Sequence, residues 1–525
     1  MRSQTLLGAP PRADGVFRRI WRRWRGLSPV ENGSASREAL ARFLDEHLPD
    51  RLLVVVSNRE PYTHVMDTDG VRAVRPASGL TTALHPVMRV ARGVWVAAGR
   101  GEPDHQAADP SGRVRVPPVD PSYVLRRVWV GKEEWEGYYL GLSNEMFWPL
   151  CHIVHVRPTF RPGDWTMYRA VNERFAQAVL EEVGGRRALV WVQDFHLALL
   201  PRLLREARPD LIIGHFWHIP WPNPEAFRIC PWKQEILEGL LGADVLGFHI
   251  RYHCDNFLKT VVGDLEAKLV EEHSAIQYHG HTTLVRPFPI SIDYEGIRRD
   301  LETPEVAAET VALRHMFPNR PPILALGVDR IDYTKGIPDR LQAIDRFLEQ
   351  HPDYHGRFVY LGIGMPSRTD LPAYQRLWAG IREQVDAVNA KHGTASWKPI
   401  HYVTRPIYHP NILAYLAQAD LCIVSALHDG MNLVAKEFIA AQPDENPGVL
   451  MLSEFTGAAR ELRDALLMNP YDVAGFAETI RKAIEMPLEE RRERCRRLQV
   501  WVREHDIYRW ARAGLREMVQ VRQHV

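Results

Sequence analysis

Short apolar runs alternate with amphipathic helical patterns over most of this chain, and the alternation restricts the fold strongly. Apolar runs bounded by turn residues are typical of strands buried on both faces of a sheet. Such runs lie at 52–56, 94–97, 124–130, 189–192, 212–216 and 245–248, and again near 323–328, 357–363, 400–404, 421–425 and 449–452. Helical patterns separate them, near 79–91, 167–183, 197–207, 233–241 and 251–261, then near 336–350, 371–390, 410–418, 431–441 and 457–464. The sequence therefore predicts an α/β fold with two doubly wound parallel sheets facing a cleft.

The pattern divides the 525 residues into four parts. An N-terminal extension, 1–50, precedes a first Rossmann-like domain at 51–295. A second Rossmann-like domain is predicted at 296–495, and a helical segment rich in Arg and Glu at 496–525.

Composition excludes several classes of protein. The formal net charge is only +1, so electrostatics give no case for nucleic-acid binding. The five Cys residues are scattered without a CxxC pair, which indicates neither a zinc site nor a disulfide framework. The sequence contains no run of 18 apolar residues, so no transmembrane helix is predicted. A cytoplasmic enzyme is the simplest expectation.

The N-terminal extension contains a basic amphipathic segment at residues 16–27. Phe17, Ile20, Trp21 and Trp24 have helical spacing, and Arg residues occupy five of the remaining positions. Such a segment can lie on an anionic membrane surface, or it can pack its aromatic face on the body or on another subunit of a homo-oligomer. We favour packing and leave peripheral membrane contact open. A linker at 28–36 and a short amphipathic helix at 37–48 are predicted next.

The segment 421–437 combines an apolar strand, a turn at Gly430 and a helix whose apolar residues begin at Met431. Helix N-termini present unpaired N–H groups and therefore hold phosphate. Asp429 and Glu437 would repel phosphate, but carboxylates accept hydrogen bonds from sugar hydroxyls. The combination suggests a nucleotide-sugar pocket, with a capped loop and a solvated acidic edge as the alternative.

A second segment, 323–336, places two cations at the end of a predicted strand. Arg330 would lie at the strand's carboxyl end and Lys335 at the start of the next helix. Doubly wound folds bind anionic ligands at this edge, and a fork-shaped Arg and a point-charge Lys can share a diphosphate. The alternative is a surface ion pair with Asp329 or Asp332.

These segments and an ordered series of further motifs resemble the trehalose-6-phosphate synthase family of retaining glycosyltransferases, family 20. The resemblance extends from about residue 51 to about 495. Besides the two segments it includes 56–59, 79–80, 136–139, Asn144, 148–149, 192–197, 218–222, 246–249, 366–368 and 469–472. It implies the GT-B architecture, with a C-terminal helix, for which we predict 505–521, crossing back onto the first domain. The first domain, 51–295, would then bind the acceptor, and the second, 296–495, the nucleotide-sugar.

The resemblance implies roles for individual residues. The donor site would comprise Gly79, Arg330, Lys335, Asp429, Gly430, Met431, Asn432, Leu433 and Glu437. Arg330 and Lys335 would hold the diphosphate, and Glu437 the nucleotide ribose. The acceptor site would comprise Arg59, Tyr139, Trp148, Asp194 and Arg368. The catalytic residues would be His218, Arg330, Lys335 and Asp429. Two guanidiniums and a phenol suit a phosphate dianion, which favours a phosphorylated acceptor.

No metal site is expected. His215 and His218 are three residues apart on a predicted strand, which points their side chains to opposite faces. Asp67-Thr68-Asp69 has the spacing of metal-dependent transferases, but it precedes Gly70 and we interpret it as a turn. The cations would replace a metal, and no cofactor is expected beyond the nucleotide-sugar co-substrate, for which UDP-glucose is predicted and GDP- or ADP-glucose are alternatives.

Several departures from the family pattern keep the substrates open. Ser78 precedes Gly79 where the family has two Gly, a second Trp is missing from the strand 94–98, and Ile407 replaces an aromatic residue. The resemblance as a whole nevertheless predicts transfer of glucose to glucose 6-phosphate by a metal-independent, front-face retaining mechanism. The alternatives are another phosphorylated acceptor, such as glycerol 3-phosphate or a cyclitol phosphate, and a non-catalytic sugar-phosphate sensor.

Overall fold

The computed structural model describes residues 36–68, 70–76, 79–405, 407 and 409–522. The basic segment 16–27 and nearly all of the predicted linker lie outside the described residues, so their predicted roles stay predictions.

Eighteen strands form three sheets within the described residues. They are β1 (Leu52–Ser57), β2 (Thr63–Asp67), β3 (Gly70–Val74), β4 (Val94–Gly99), β5 (Arg113–Val116), β6 (Tyr123–Trp129), β7 (Ala188–Gln193), β8 (Ile212–Phe216), β9 (Val245–Phe248), β10 (Lys268–Val270), β11 (Ala275–Tyr278), β12 (His281–Pro287), β13 (Ile323–Arg330), β14 (Phe358–Met365), β15 (Ile400–Val403), β16 (Leu421–Val424), β17 (Val449–Ser453) and β18 (Leu466–Met468).

The helices alternate with these strands. The α-helices are Arg37–His47, Gly79–Ala91, Glu102–Ala107, Lys132–Trp135, Trp148–His152, Pro162–Val183, Leu200–Ala207, Pro224–Phe227, Lys233–Leu240, Arg251–Asp264, Tyr294–Asp300, Pro304–Met316, Ile337–Gln350, Pro372–His392, Ile412–Gln418, Leu433–Ala441, Val473–Glu485, Leu488–Glu504 and Ile507–Arg522. A π-helix spans Glu136–Phe147, and short 3₁₀ turns span Phe195–Leu197, Glu271–His273, Tyr333–Lys335, Pro352–Tyr354 and Gly457–Arg460.

The first sheet has ten strands in the order β10-β11-β12-β9-β8-β7-β1-β4-β6-β5. Its centre is parallel, with Val54 of β1 paired to Val94 of β4 and Val190 of β7. The edge strands β5, β10 and β11 pair antiparallel. Central strands such as β1 and β7 are buried along nearly their whole length because helices cover both faces, which explains their continuous apolar sequence.

The second sheet has six parallel strands in the order β15-β14-β13-β16-β17-β18. β13 lies inside the sheet, between β14 and β16, so Arg330 reaches the central part of its carboxyl edge. The two doubly wound sheets confirm the predicted fold class. Because β12 ends at Pro287 and β13 begins at Ile323, the predicted boundary at 295/296 falls between the sheets, and the four-part division stays a prediction.

The C-terminal helix returns to the first sheet, as predicted for 505–521. Trp510 of the helix Ile507–Arg522 stacks on Trp191 of β7 with ring centroids 4.6 Å apart. Its indole N–H donates to the carbonyl of Phe288 at 3.2 Å. Leu515 and Met518 are buried in the same core. The C-terminal helix therefore packs on the first sheet, although it follows the strands of the second sheet in the sequence.

The helix predicted at 37–48 is observed at Arg37–His47, with Ser36 accepting from the N–H of Ala39 at its N-terminus. Leu40 and Phe43 are buried in the core that also holds the C-terminal helix. This part of the extension is thus integral to the folded body.

One prediction about elements was wrong, and one element was not predicted. The predicted helix near 457–464 is only the 3₁₀ turn Gly457–Arg460, because the chain must return to the sheet at Leu466, where β18 begins. The π-helix Glu136–Phe147 was not predicted at all. In contrast, the turn interpretation of Asp67-Thr68-Asp69 agrees with the hairpin of β2 and β3, although Asp69 itself lies outside the described residues.

Candidate active site

The two predicted diphosphate cations lie at the carboxyl edge of β13. Arg330 is its last residue, and Lys335 ends the 3₁₀ turn before the helix Ile337–Gln350. The Lys335 Nζ lies 2.5 Å from Oδ2 of Asp429, and both side chains are largely buried. Asp329, one of the partners in the alternative interpretation, instead pairs with Arg340 at 2.7 Å. The carboxylate of Asp429, in the loop that follows β16, therefore holds Lys335 inside the site.

The loop 429–433 closes the donor side of the site. Asn432 has φ of +82°, and its side chain accepts from the N–H of Ala435 and donates to Asp429 at 3.2 Å. The following helix starts at Leu433, two residues later than predicted, because this cap ends the loop. Met431, which belongs to this loop, has a buried side chain. The start of this helix, where main-chain N–H groups have no intrahelical acceptor, is the position expected of a phosphate site.

Gly430 allows the two halves of the site to meet. A Cβ atom built on Gly430 would lie 2.3 Å from the carbonyl oxygen of His218, which belongs to the other sheet. Gly79, at the start of its helix, faces the side chain of Leu433, 3.4 Å from where its Cβ would be. Both contacts join an element of the first sheet to the loop 429–433.

Glu437 lies one turn along the helix Leu433–Ala441. It lines a cavity of about 260 Å³ that is also lined by residues of the helix Gly79–Ala91. Burial raises the pKa of the Glu437 carboxyl to about 7. Ile407, predicted to lie near the nucleotide base, is buried in the core. The carboxyl group of Glu437 therefore has space beside it for a ligand, whereas Ile407 fills the interior.

His218 follows β8 and is fixed by three contacts. Its Nε2 lies 2.9 Å from Oε1 of Gln193, its main-chain N–H donates to Asp194 at 3.2 Å, and its carbonyl lies 2.9 Å from Nε2 of His249. Burial and the neighbouring His249 lower the pKa of His218 well below its ordinary value. The imidazole is therefore neutral and rigidly oriented. His215 is separately buried within β8.

Asp194 has φ of +75° and precedes the turn Phe195–Leu197. Its side chain accepts from the main-chain N–H of His218 at 3.2 Å. Burial raises the pKa of Asp194 to about 7, against the main-chain donors and the guanidiniums of Arg330 and Arg368, which lower it. Asp194 thus belongs to the same electrostatic cluster as the cations of the second sheet.

Arg59 and Tyr139 meet at the end of β1. The Arg59 Nη2 donates to the Tyr139 hydroxyl at 2.7 Å. The π-helix places Tyr139 there, because Gly137 and Gly141 let it lie directly against the helix Pro162–Val183. Burial raises the pKa of the Tyr139 hydroxyl, but the guanidiniums of Arg59, Arg368 and Arg330 lower it by more. The pKa of Tyr139 is therefore lowered to about 8.

Asp332 is the residue around which the rest of the site is arranged. Its carboxylate is fully buried and accepts from the indole N–H of Trp148 at 3.2 Å and from Arg368 at 3.0 Å. It also accepts from the N–H and hydroxyl of Thr334 and lies 3.8 Å from Arg330. Burial raises its pKa, but Arg368, Arg330 and Lys335 together hold it below its ordinary value.

Sequence reasoning considered Asp332 only as a partner in a surface ion pair. The only available signal was its position two residues after Arg330 at the strand end.

Trp148 joins the two sheets as well. The guanidinium carbon of Arg368 lies 4.1 Å from the centroid of the Trp148 ring, and that of Arg330 lies 5.1 Å away. Trp148 is 6% exposed, so it fills the core and contacts both cations at once. All fifteen predicted site residues are described, and most lie around this centre, with Gly79 and Glu437 at its edge.

Among the described residues, no group of three or more His, Cys, Asp or Glu side chains is arranged to hold a metal ion. The five Cys residues are all buried and unpaired. No helix in the described ranges combines the length and hydropathy needed to cross a membrane.

Two facing doubly wound sheets with paired cations at their carboxyl edges define a GT-B glycosyltransferase. The family description "Glycosyltransferase family 20" matches residues 51–520, nearly the whole chain. The chain therefore belongs to glycosyltransferase family 20 and is an enzyme that transfers a sugar. The helix Arg37–His47 precedes the matched region.

Known proteins resemble the chain closely. The trehalose-6-phosphate synthase of Mycolicibacterium paratuberculosis is 39% identical over 471 residues, covering 88% of this chain and 94% of that protein. A Burkholderia xenovorans α,α-trehalose-phosphate synthase (UDP-forming), solved with glucose-6-phosphate, superposes with a TM-score of 0.80 at 29% identity, covering 89% of this chain and 99% of its own. An E. coli structure described as bound with UDP-2-fluoro glucose gives a TM-score of 0.79 at the same identity and coverage.

Proposed function

We propose that this enzyme transfers glucose from UDP-glucose to glucose 6-phosphate, giving α,α-trehalose 6-phosphate with retention of configuration. The observation that carries the proposal is the shared carboxylate of Asp332. It binds Arg368 of the acceptor side, approaches Arg330 of the donor side and accepts from Trp148 of the first domain. Two anion sites built around one carboxylate suit a reaction between two phosphorylated substrates.

In the donor half of the mechanism, the protein acts mainly by stabilising negative charge. Arg330 and Lys335 bind the diphosphate of the nucleotide-sugar and stabilise the negative charge that grows on it as the glycosidic bond breaks. The N-terminus of the helix Leu433–Ala441 adds main-chain donors to the same phosphates. Gly79 lets the backbone of the first domain approach them, and Glu437 accepts from the ribose. These cations serve where other transferases use a metal ion, so the reaction proceeds without one.

The acceptor half rests on position. Arg59, Tyr139 and Arg368 bind the acceptor phosphate, Asp194 accepts from its hydroxyls, and Trp148 lies against its ring. Neutral His218 contacts the donor sugar. Holding both substrates in one geometry removes the entropic cost of bringing them together.

The bond changes take place on one face of the donor sugar. The acceptor hydroxyl forms a bond to the anomeric carbon on the face from which the diphosphate leaves, and its proton passes to a departing phosphate oxygen. Asp429 is engaged by Lys335, and Asp194 by the N–H of His218, which supports a route without a protein nucleophile. The product is a non-reducing disaccharide with the configuration of the donor.

The relatives support the choice of substrates. They are synthases of trehalose 6-phosphate, and among the structures one holds a UDP-sugar analogue and another glucose-6-phosphate. The buried, unpaired Cys residues suit a reducing cytoplasm, which is the compartment we propose.

The test is product formation from UDP-, GDP- and ADP-glucose, each combined with glucose 6-phosphate, glycerol 3-phosphate or a cyclitol phosphate, in the presence of a chelator. Nuclear magnetic resonance would identify the linkage and its anomeric configuration. We expect α,α-trehalose 6-phosphate, with UDP-glucose as the best donor.

Other results would redirect the proposal. A product from a different phosphorylated acceptor would keep the transferase and change the substrate. Donor binding without any product would indicate a sensor, and activity lost with the chelator and restored by a divalent cation would contradict the metal-independent mechanism.

A further inference from the structure

Arg100 lies directly after β4, at the carboxyl edge of the first sheet. Its side chain is exposed, yet it has a defined position, because the guanidinium carbon lies 3.8 Å from the centroid of the Trp135 ring. A guanidinium that stacks on an indole uses its face and leaves the N–H groups at its edge free for other partners.

Trp135 connects Arg100 to the acceptor side of the site. Its ring stacks on Tyr139 with centroids 4.1 Å apart and planes 25° from parallel. Tyr139 in turn accepts the hydrogen bond from Arg59. The order Arg100, Trp135, Tyr139, Arg59 is therefore a continuous series of contacts that brings a second exposed cation towards the first.

The charges of these residues interact. Burial and the charge of Arg59 lower the pKa of Arg100, whereas Tyr139 and Asp370 raise it. Among the described residues, no carboxylate lies within 4 Å of the guanidinium nitrogens of Arg59 or Arg100, while Arg368 has its partner in Asp332. Two guanidiniums whose charges interact, and neither of which has a carboxylate within 4 Å, favour an anion beside them.

We propose that Arg100 is an additional binding residue for the phosphate of the acceptor, acting beside Arg59 and Tyr139. The inference rests on the proposed function, since it assigns a ligand group to that same site. Arg100 donates to phosphate oxygens from the first domain, and Asp370 across the cleft is its counter-charge when the acceptor is absent. The enzyme would thereby select a phosphate dianion over a neutral sugar.

The experiment compares Arg100→Ala, Arg100→Lys and the wild type, with Arg228→Ala as a matched control. Arg228 is exposed and pairs only with Glu225 on its own helix turn among the described residues. We expect Arg100→Ala to raise the KM for glucose 6-phosphate about tenfold to a hundredfold, as loss of one charge-assisted hydrogen bond does. The kcat and the KM for UDP-glucose should stay near wild type, and Arg100→Lys should recover part of the affinity.

Binding measured by calorimetry separates the role in phosphate binding from a structural one. With glucose as the ligand or acceptor, Arg100→Ala and the wild type should agree, because the group that Arg100 binds is absent. An unchanged KM for glucose 6-phosphate, or an equal loss with both acceptors, would overturn the inference while leaving the proposed function intact. A wild type that binds no phosphorylated acceptor would overturn both.

Discussion

At the scale of single residues, the site depends on carboxylates that hold cations in place. Asp332 orients Arg368 and lies near Arg330, and Asp429 orients Lys335. A guanidinium or ammonium group fixed in advance needs little rearrangement when charge develops on the leaving group. In the proposed mechanism, these buried acids act by positioning the cations.

Replacing Arg330 or Lys335 with Ala should lower kcat by about two to three orders of magnitude, since each stabilises charge that grows in the transition state. Steady-state kinetics with saturating UDP-glucose and glucose 6-phosphate would measure the loss. Lys391→Ala is the control, because Lys391 is exposed and pairs only with Asp345 and Glu349 of the neighbouring helix Ile337–Gln350 among the described residues. Near-normal rates for either variant would contradict the diphosphate assignment.

The kcat/KM for the acceptor, glucose 6-phosphate, should depend on pH in two steps. Asp194, with its pKa raised to about 7, is protonated below that pH and accepts from the acceptor only above it, so kcat/KM should rise through about pH 7. Tyr139, with its pKa lowered to about 8, becomes a phenolate above that pH and repels the phosphate, so kcat/KM should then fall. The pH profile of the free enzyme reports both groups.

Two variants assign these steps. Asp194→Asn should remove the rise near pH 7, and Tyr139→Phe should remove the fall near pH 8. The acceptor phosphate, with a second pKa of about 6, titrates equally in every variant and serves as the internal reference. A profile that keeps both steps in both variants would show that other groups are responsible.

The sequence predicted the cations of the site better than the acids that position them. Arg330 and Lys335 could be found because a strand end and a helix start mark the anion-binding edge of a doubly wound sheet. Asp332 could not be recognised as a centre, because Trp148 and Arg368, which share it, come from distant segments. Contacts between separate parts of the chain carry no local sequence pattern.

At the scale of elements, the site depends on segments without regular periodicity. The π-helix Glu136–Phe147 widens the helical turn and brings Tyr139 to Arg59. Long apolar strands such as β7 and β13 were predicted closely because their pattern depends on burial at both faces. The hairpin of β2 and β3 mixes polar and apolar residues and has no buried position, so its sequence gives no comparable signal.

The helix Arg37–His47 should stabilise the whole first domain, although it precedes the region shared with the family. Phe43 is 5% exposed within the core that contains the C-terminal helix. Phe43→Ala should lower the free energy of unfolding by about 3–5 kcal/mol, as removal of a buried aromatic side chain does. Chemical denaturation would measure the change.

Glu46→Ala is the matched control on the exposed face of the same helix and should change stability by less than about 0.5 kcal/mol. If Phe43→Ala unfolds like the wild type, the helix is not an integral part of the domain.

At the scale of the whole molecule, the two domains meet through main-chain atoms as well as side chains. Gly430 lies against the carbonyl of His218, and the ammonium group of Lys436 donates to the carbonyl of Ile290 at 2.8 Å. His428 similarly contacts the carbonyl of His152 at 2.7 Å. Such contacts fix the distance between the halves of the site more strictly than flexible side chains can.

Gly430→Ala should hold the domains apart, because its methyl group would lie 2.3 Å from the His218 carbonyl oxygen, which cannot move aside alone. A displacement of about 1 Å between reacting groups can cost about a hundredfold in rate, and we expect a loss of that order in kcat/KM for both substrates. Steady-state kinetics would measure it, with circular dichroism to verify the fold.

Gly380→Ala provides the comparison, since Gly380 lies in a helix of the second domain with no atom within 4 Å of its added methyl group. It should keep full activity. Equal activity of the two variants would show that the contact at Gly430 does not set the distance between the domains.

The return of the chain to the first domain has a mechanical consequence. The outgoing connection near Ile292 and the returning one near Ile507 run side by side, joined by a hydrogen bond of 3.0 Å between their main chains. Tyr508 adds a second bond to Asp293 at 3.0 Å. Two adjacent crossings that are bonded to each other resist sliding of one domain past the other, so we expect any opening of the cleft to be a rotation about this point. Such a rotation would widen the cleft most at the edge farthest from Ile292 and Ile507, and we expect the substrates to enter and leave there.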